Sequence, residues 1–233
     1  MVVHRVTALF VFLLGVHVGL AAQQDADYFR SQDNNWDVSI WGGEAFGKAA
    51  GEAFGETQIT MAGFRAERVI YEAPNHRKSL QYTFGVQPLF LVTRTQTAYG
   101  GGFSPVGLKW NFSPRHHGRY RPYLDFAGGG MFTQKNVPPG RTDNFNFTVS
   151  AGPGIMIALT RTQAVSLSLH YWHLSNAFLG HDNPAFNTIE LEVGYHWLVG
   201  GHGVHNRQAS GRRSTGGSAP TSIAGDHPSA DRR

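Results

Sequence analysis

The chain has 233 residues, a formal net charge of +4 and no cysteine. This length suits one barrel or one sandwich, and a chain without cysteine has neither disulfides nor thiol chemistry. The excess positive charge is carried by Arg5 and by the arginines after Gly200, so residues 6–199 are neutral. A neutral body lacks the basic surface that binds nucleic acid, and we expect no nucleic-acid partner.

Residues 1–22 have the pattern of a secretory signal peptide. Arg5 precedes an apolar run over residues 6–20, and the small residues Ala21 and Ala22 precede a polar stretch. The run is short for a transmembrane helix, which needs about 20 apolar residues, so an uncleaved anchor is only the alternative. No later segment reaches that length without polar residues. A mature chain in a membrane would therefore cross it as a barrel.

Alternation of apolar and polar residues dominates the chain after the signal peptide. Over residues 145–159 the odd positions are largely apolar and the even positions are small or polar, which is the period of a strand with one apolar face. The pattern predicts eight strands, at residues 35–42, 57–72, 79–92, 104–112, 120–133, 144–158, 163–175 and 187–199. Many reach about ten residues, the length that a tilted membrane-spanning strand needs.

These strands predict an all-β fold, an eight-stranded antiparallel transmembrane β-barrel of the outer membrane of a Gram-negative bacterium. The barrel would occupy residues 23–199, and residues 200–233 would form a disordered tail rich in Gly, Ser and Arg. A soluble lipid-binding barrel, with its apolar face inward, is the alternative.

The spacing of the predicted strands gives loops that alternate in length, as in outer-membrane barrels. The longer ones are 43–56, 93–103, 134–143 and 176–186, and the shorter ones are 73–78, 113–119 and 159–162. Proline cannot donate to a strand ladder, so bulges are expected at Pro88, Pro122 and Pro153.

Two polar residues end the apolar face of the seventh predicted strand. His173 and Ser175 follow Val165, Leu167, Leu169 and Tyr171 at alternate positions. Residues two apart on a strand share a face and have Cα atoms about 6.6 Å apart, so the imidazole can reach the hydroxyl. A histidine base beside a serine nucleophile is the minimum for acyl transfer. A polar interfacial girdle is the alternative interpretation of the pair.

The segments His173-Leu174-Ser175-Asn176-Ala177 and Asn183 to Glu190 resemble the signature of the lipid A 3-O-deacylase (PagL-type, acyloxyacyl hydrolase) family. The resemblance implies an outer-membrane serine esterase with a Ser-His-Glu triad. Ser175 matches the nucleophile, His173 the base and Glu190 the acid. Asn176 matches an asparagine beside the nucleophile, and either Asn183 or Asn187 could match a residue that helps to stabilise the oxyanion.

The position of Glu190 departs from this pattern. The apolar face of the eighth predicted strand contains Ile189 and Leu191, so Glu190 lies on the other face with Glu192. A β-bulge at the start of the strand would be needed to bring Glu190 to His173. Glu192 and Asp182 are the other acids considered, and a pair of lumenal charges is the alternative for Glu190 and Glu192.

The function expected from the sequence is hydrolysis of a fatty-acyl ester of lipid A, by 3-O-deacylation, with neither cofactor nor metal. The expected partners are lipid A or lipopolysaccharide as substrate, outer-membrane lipids and, as an open alternative, a second copy in a homodimer. The rival function is that of a small barrel that only anchors or adheres.

Overall fold

A computed structural model of the protein describes residues 28–32, 35–49, 57–74, 78–93, 97–112, 119–139 and 141–200. The predicted signal peptide and the tail after Gly200 lie outside these residues and remain predictions. A short helix, α1, precedes eight strands. The elements are α1 (Tyr28–Ser31), β1 (Trp36–Ala49), β2 (Thr57–Glu72), β3 (Lys78–Thr93), β4 (Ala98–Phe112), β5 (Tyr120–Thr133), β6 (Phe145–Ala158), β7 (Gln163–Ser175) and β8 (Phe186–Val199).

The eight strands form one closed antiparallel barrel. Each strand pairs with the next along the chain, and β1 pairs with β8 to close the sheet. Closure leaves no unpaired strand edge, which is what a β-structure needs in order to cross a membrane. The predicted fold is therefore confirmed. Among the described residues, no helix is long and apolar enough to cross a membrane.

The outer wall of the barrel is apolar and the middle of its interior is ionic. Alternate residues such as Leu124 and Leu191 are about half exposed on the outside. Inside, the ammonium group of Lys109 binds both carboxylate oxygens of Glu67, and each side chain is 0% exposed. A soluble lipid carrier would have the reverse polarity. The alternation thus favours the membrane barrel over the soluble alternative.

Apolar clusters lie at the two ends of the interior. At one end Phe90, Trp172 and Phe186 belong to a buried cluster. We call this end the loop rim; it is bounded by the β5–β6 connection (134–144) and the β7–β8 connection (176–185). At the other end the cluster includes Tyr28 and Phe29 of α1.

Two strands, and with them two loops, differ from the sequence prediction. The structure extends β1 to Ala49 instead of 42 and begins β4 at Ala98 instead of 104. Both added segments are rich in glycine, which favours a loop by propensity, but here each pairs with neighbouring strands. The β3–β4 connection is therefore only 94–97, and the predicted regular alternation of long and short loops is wrong.

The predicted bulges at proline are confirmed at one position of three. The β3–β4 register shifts between Gln87 and Phe90, on either side of Pro88. By contrast, Pro122 pairs with Ile155, and Pro153 pairs with Leu124, in a continuous β5–β6 register. Those two bulges were wrongly predicted, because the register does not shift at either proline.

Candidate active site

His173 and Ser175 lie at the end of β7 that reaches the loop rim. Both side chains are half-buried on the outward face of the strand. Their Cα partners on β6 are Val149 and Phe147, which are 41% and 45% exposed on the apolar wall. The structure thus places both residues on the outward, lipid-facing side of β7, as the alternation predicted.

A third polar residue joins them from β8. Asn187 is the Cα partner of His173, and its Oδ1 atom lies 2.8 Å from Nδ1 of the imidazole. The hydroxyl of Tyr171 donates to the same oxygen at 2.6 Å. An acceptor at Nδ1 fixes the ring and leaves Nε2 to accept a proton from a neighbouring hydroxyl. Asn187 therefore occupies the place that an acid has in a Ser-His-acid triad.

The structure does not bring Glu190 to His173. The β7–β8 register is continuous, without the bulge that this assignment required, and Glu190 pairs with His170. Its side chain is inside the barrel and 3% exposed, with Oε2 3.6 Å from Nδ1 of His170. This placement corrects the expected geometry, because strand parity holds Glu190 on the lumenal face.

The other two acids considered are also engaged elsewhere. Glu192 lies in the lumen, where its two oxygens accept from the guanidinium of Arg65 at 2.9 Å each. Asp182 is exposed in the β7–β8 connection and contacts the ring of its neighbour His181 at 2.7 Å. Among the described acids that the sequence offered, none reaches His173.

The two asparagines of the loop after Ser175 have different roles. The side chain of Asn176 is used within the loop, where Nδ2 donates to the Asp182 carbonyl and Oδ1 accepts from the Phe178 N–H. Asn183 accepts from the backbone N–H of Asn176 through Oδ1, at 3.1 Å. Its amide oxygen is therefore fixed beside the residue that follows Ser175.

The turn after Asn176 has an unusual backbone. The φ angles of Ala177 and Phe178 are 50° and 63°, and the Leu179 N–H donates to the Asn176 carbonyl at 2.9 Å. Two consecutive positive φ angles suit glycine or asparagine, and other residues occupy them at a cost. Strain of this kind is common beside active sites. The turn reverses the chain directly after β7 and exposes Phe178.

A second serine–histidine–acid arrangement, which the sequence does not predict, lies inside the barrel. His196 contacts Ser166 Oγ through Nε2 at 2.8 Å and Asp37 Oδ1 through Nδ1 at 3.0 Å. These three residues are at most 2% exposed. The hydroxyl of Tyr28 and the amide of Gln32 also donate to Asp37. We interpret this cluster as the attachment of α1, since no substrate could reach a serine enclosed in this way.

The pKa of Tyr28 agrees with this structural role. Burial raises the pKa of its hydroxyl well above the ordinary value, and the carboxylate of Asp37 raises it further. The hydroxyl thus remains a proton donor to Asp37 at any physiological pH. This bond holds α1 against the barrel interior.

Two groups of buried residues have the composition of metal ligands. They are Asp37, Glu67 and His196, and His170, Glu190 and Glu192. Most of these side chains already have a partner of opposite or polar character, such as Lys109 for Glu67 and Arg65 for Glu192. Both groups lie in the lumen, on the opposite side of the wall from Ser175.

Comparison with known proteins agrees with this architecture. The family model for lipid A 3-O-deacylase (PagL) matches residues 16–196. The crystal structure of the outer membrane enzyme PagL has a TM-score of 0.51 and 16% identity, covering 68% of this chain and 97% of that chain. Neisserial surface protein A has a TM-score of 0.46 and 11% identity, covering 70% of this chain and 96% of that chain. No curated protein sequence is similar enough to count as a match.

The closed sheet, the apolar wall and the ionic interior define an outer-membrane β-barrel protein. The family model covers nearly the whole barrel and both segments that suggested the resemblance. The chain belongs to the lipid A 3-O-deacylase (PagL) family, and that predicted membership is confirmed.

Proposed function

We propose that the protein hydrolyses the 3-O-linked acyl ester of lipid A, with Ser175 as the nucleophile and His173 as its base. The observation that supports this most strongly is the 2.8 Å contact between His173 Nδ1 and Asn187 Oδ1, on the outward face beside Ser175. The site is on the lipid-facing wall at the loop rim, where an ester of a membrane lipid can approach it. A lumenal site would not meet such a substrate.

The reaction follows from the arrangement of these groups. His173 accepts the Ser175 proton at Nε2 while its Nδ1–H donates to Asn187, and the Ser175 oxygen attacks the ester carbonyl. The tetrahedral intermediate collapses, and the sugar hydroxyl leaves with the proton from Nε2. Water then attacks the acyl-serine ester, with His173 again as the base. The products are a fatty acid and free Ser175.

Charge that develops on the carbonyl oxygen needs a hydrogen-bond donor. The Nδ2 group of Asn183 is suited to this role, because its Oδ1 is held by the backbone N–H of Asn176. A fixed donor aimed at an oxyanion accelerates acyl transfer, typically by 10²- to 10³-fold. The side chain of Asn176 instead maintains the loop.

The experiment compares the purified wild-type barrel with Ser175→Ala, using lipopolysaccharide in detergent micelles and release of free fatty acid as the readout. We expect Ser175→Ala to lose activity by at least about 10³-fold. Ser150→Ala is the matched control, since Ser150 lies on the lumenal face of β6. Heat-modifiable gel migration verifies folding of each variant. Wild-type turnover by folded Ser175→Ala would contradict the proposal and favour the anchoring barrel.

A further inference from the structure

The amide of Asn187 can turn either its oxygen or its nitrogen toward His173, whereas a carboxylate would present an oxygen in both orientations. Its oxygen and nitrogen are nearly equal in size, so packing alone does not select between two orientations of the group. With Oδ1 toward His173, the imidazole donates from Nδ1 and keeps Nε2 free as a base. With Nδ2 toward His173, the imidazole must accept at Nδ1 and carry its proton on Nε2, where it cannot accept from Ser175.

We propose that Tyr171 is a positioning residue that selects the catalytically competent orientation of Asn187; this inference rests on the proposed function. Its hydroxyl donates to Asn187 Oδ1 at 2.6 Å, and the same oxygen lies 2.8 Å from His173 Nδ1. The two lone pairs of one carbonyl oxygen thus serve both donors. In the flipped amide, Nδ2 would face the Tyr171 oxygen, which accepts a hydrogen bond more weakly than its O–H donates one, and His173 would be satisfied only in its inactive tautomer.

The position of Tyr171 on the barrel fits this role. It lies two residues before His173 on the outward face of β7 and is 51% exposed. A tyrosine at a membrane surface keeps its ring among lipid tails and needs a polar partner for its hydroxyl. Asn187 supplies that partner, so the orientation of the amide is coupled to the packing of Tyr171.

The first test is Tyr171→Phe, which removes the hydroxyl and retains the ring. We expect kcat on micellar lipopolysaccharide to fall about 5- to 10-fold with KM unchanged, as expected for loss of one hydrogen bond that acts through Asn187. Tyr120→Phe is the control, because Tyr120 is also an exposed tyrosine of the outer wall, 47% exposed, but lies at the end of β5 away from the loop rim. Unchanged kcat in Tyr171→Phe would overturn the inference.

The second test separates positioning from direct contact with substrate. In Asn187→Asp both side-chain oxygens are acceptors, so no orientation has to be selected. We expect Tyr171→Phe to change kcat less than twofold in that background. A full 5- to 10-fold loss there would show that Tyr171 acts on the substrate itself and would overturn the inference.

A third background covers the case in which Asn187→Asp does not fold. Because Tyr171 acts through Asn187, Tyr171→Phe should also have less than a twofold effect in Asn187→Ala, and a persistent loss would overturn the inference. Failure of the proposed function has a different signature, since Ser175→Ala would then keep wild-type activity. Loss of activity in Ser175→Ala with normal kcat in Tyr171→Phe would overturn only the role of Tyr171.

Discussion

His173 and Asn187 face each other across β7 and β8, with 2.8 Å between Nδ1 and Oδ1, whereas Glu190 lies on the opposite face of β8. In the proposed site, the side chain that contacts His173 Nδ1 is thus an amide on the outward face of β8. From the sequence, Glu190 is the expected acid and Asn187 is a candidate only for the oxyanion; the structure instead brings Asn187 to His173.

Single substitutions of Asn187 and Glu190 should differ in their effect on kcat. We expect Asn187→Ala to lower kcat by about 10²- to 10⁴-fold, since the imidazole loses the acceptor that fixes its tautomer and orientation. Glu190→Gln retains the size of the side chain and should leave kcat within about twofold. Fatty-acid release by the two folded variants provides the comparison. A severe loss of kcat in Glu190→Gln together with a mild loss in Asn187→Ala would support Glu190, and not Asn187, as the residue that orients His173.

Asn183 should act on the transition state more than on binding. In Asn183→Ala the Nδ2 donor is lost, and we expect kcat to fall by about 10²- to 10³-fold with little change in KM. Asn136→Ala is a suitable comparison, because Asn136 donates to a loop carbonyl, that of Thr142, in the neighbouring β5–β6 connection. Equal losses in both variants would indicate general damage to the loops and argue against a specific donor.

The lumenal ion pair between Lys109 and Glu67 should contribute to the free energy of unfolding without affecting turnover. Lys109 and Glu67 are both fully buried, so Lys109→Ala leaves a buried carboxylate without its ammonium partner. Loss of one partner of such a pair typically costs about 3–5 kcal/mol. Urea unfolding of the detergent-refolded barrel should show the decrease, and the remaining folded fraction should retain normal turnover.

A paired replacement identifies the cause of that decrease. The double variant Lys109→Met with Glu67→Met removes both charges and should recover most of the lost stability. If the double variant is as unstable as Lys109→Ala, loss of the Lys109 ammonium over the ring of Tyr123, and not the unpaired charge of Glu67, would explain the effect.

The sequence predicted the strands well because the alternation of apolar and polar residues is controlled by the two environments of a barrel wall. It located His173 and Ser175 for the same reason, since parity alone places both on the outside. The predicted lengths of β1 and β4 were too short. Glycines such as Gly43 and Gly101 weaken the strand pattern in segments that nevertheless pair with strands on both sides.

The contact between Asn187 and His173 is harder to predict, because it depends on the register between two strands. Sequence parity places Asn187 outside and Glu190 inside, but it does not specify which residue of β8 is opposite His173. The resemblance to the family signature, with its Ser-His-Glu triad, favours Glu190 instead. Contacts between distant segments, such as Asp37 with His196, have no local signal in the sequence and required the folded barrel.

The central claim is that this barrel removes the 3-O-linked acyl chain of lipid A through Ser175. Its most direct test is mass spectrometry of lipid A from Gram-negative cells that express the wild-type chain or Ser175→Ala at equal levels in the outer membrane. The account predicts lipid A lacking one ester-linked acyl chain with the wild type and intact lipid A with the variant. Intact lipid A in both strains, or the same deacylated species in both, would contradict it.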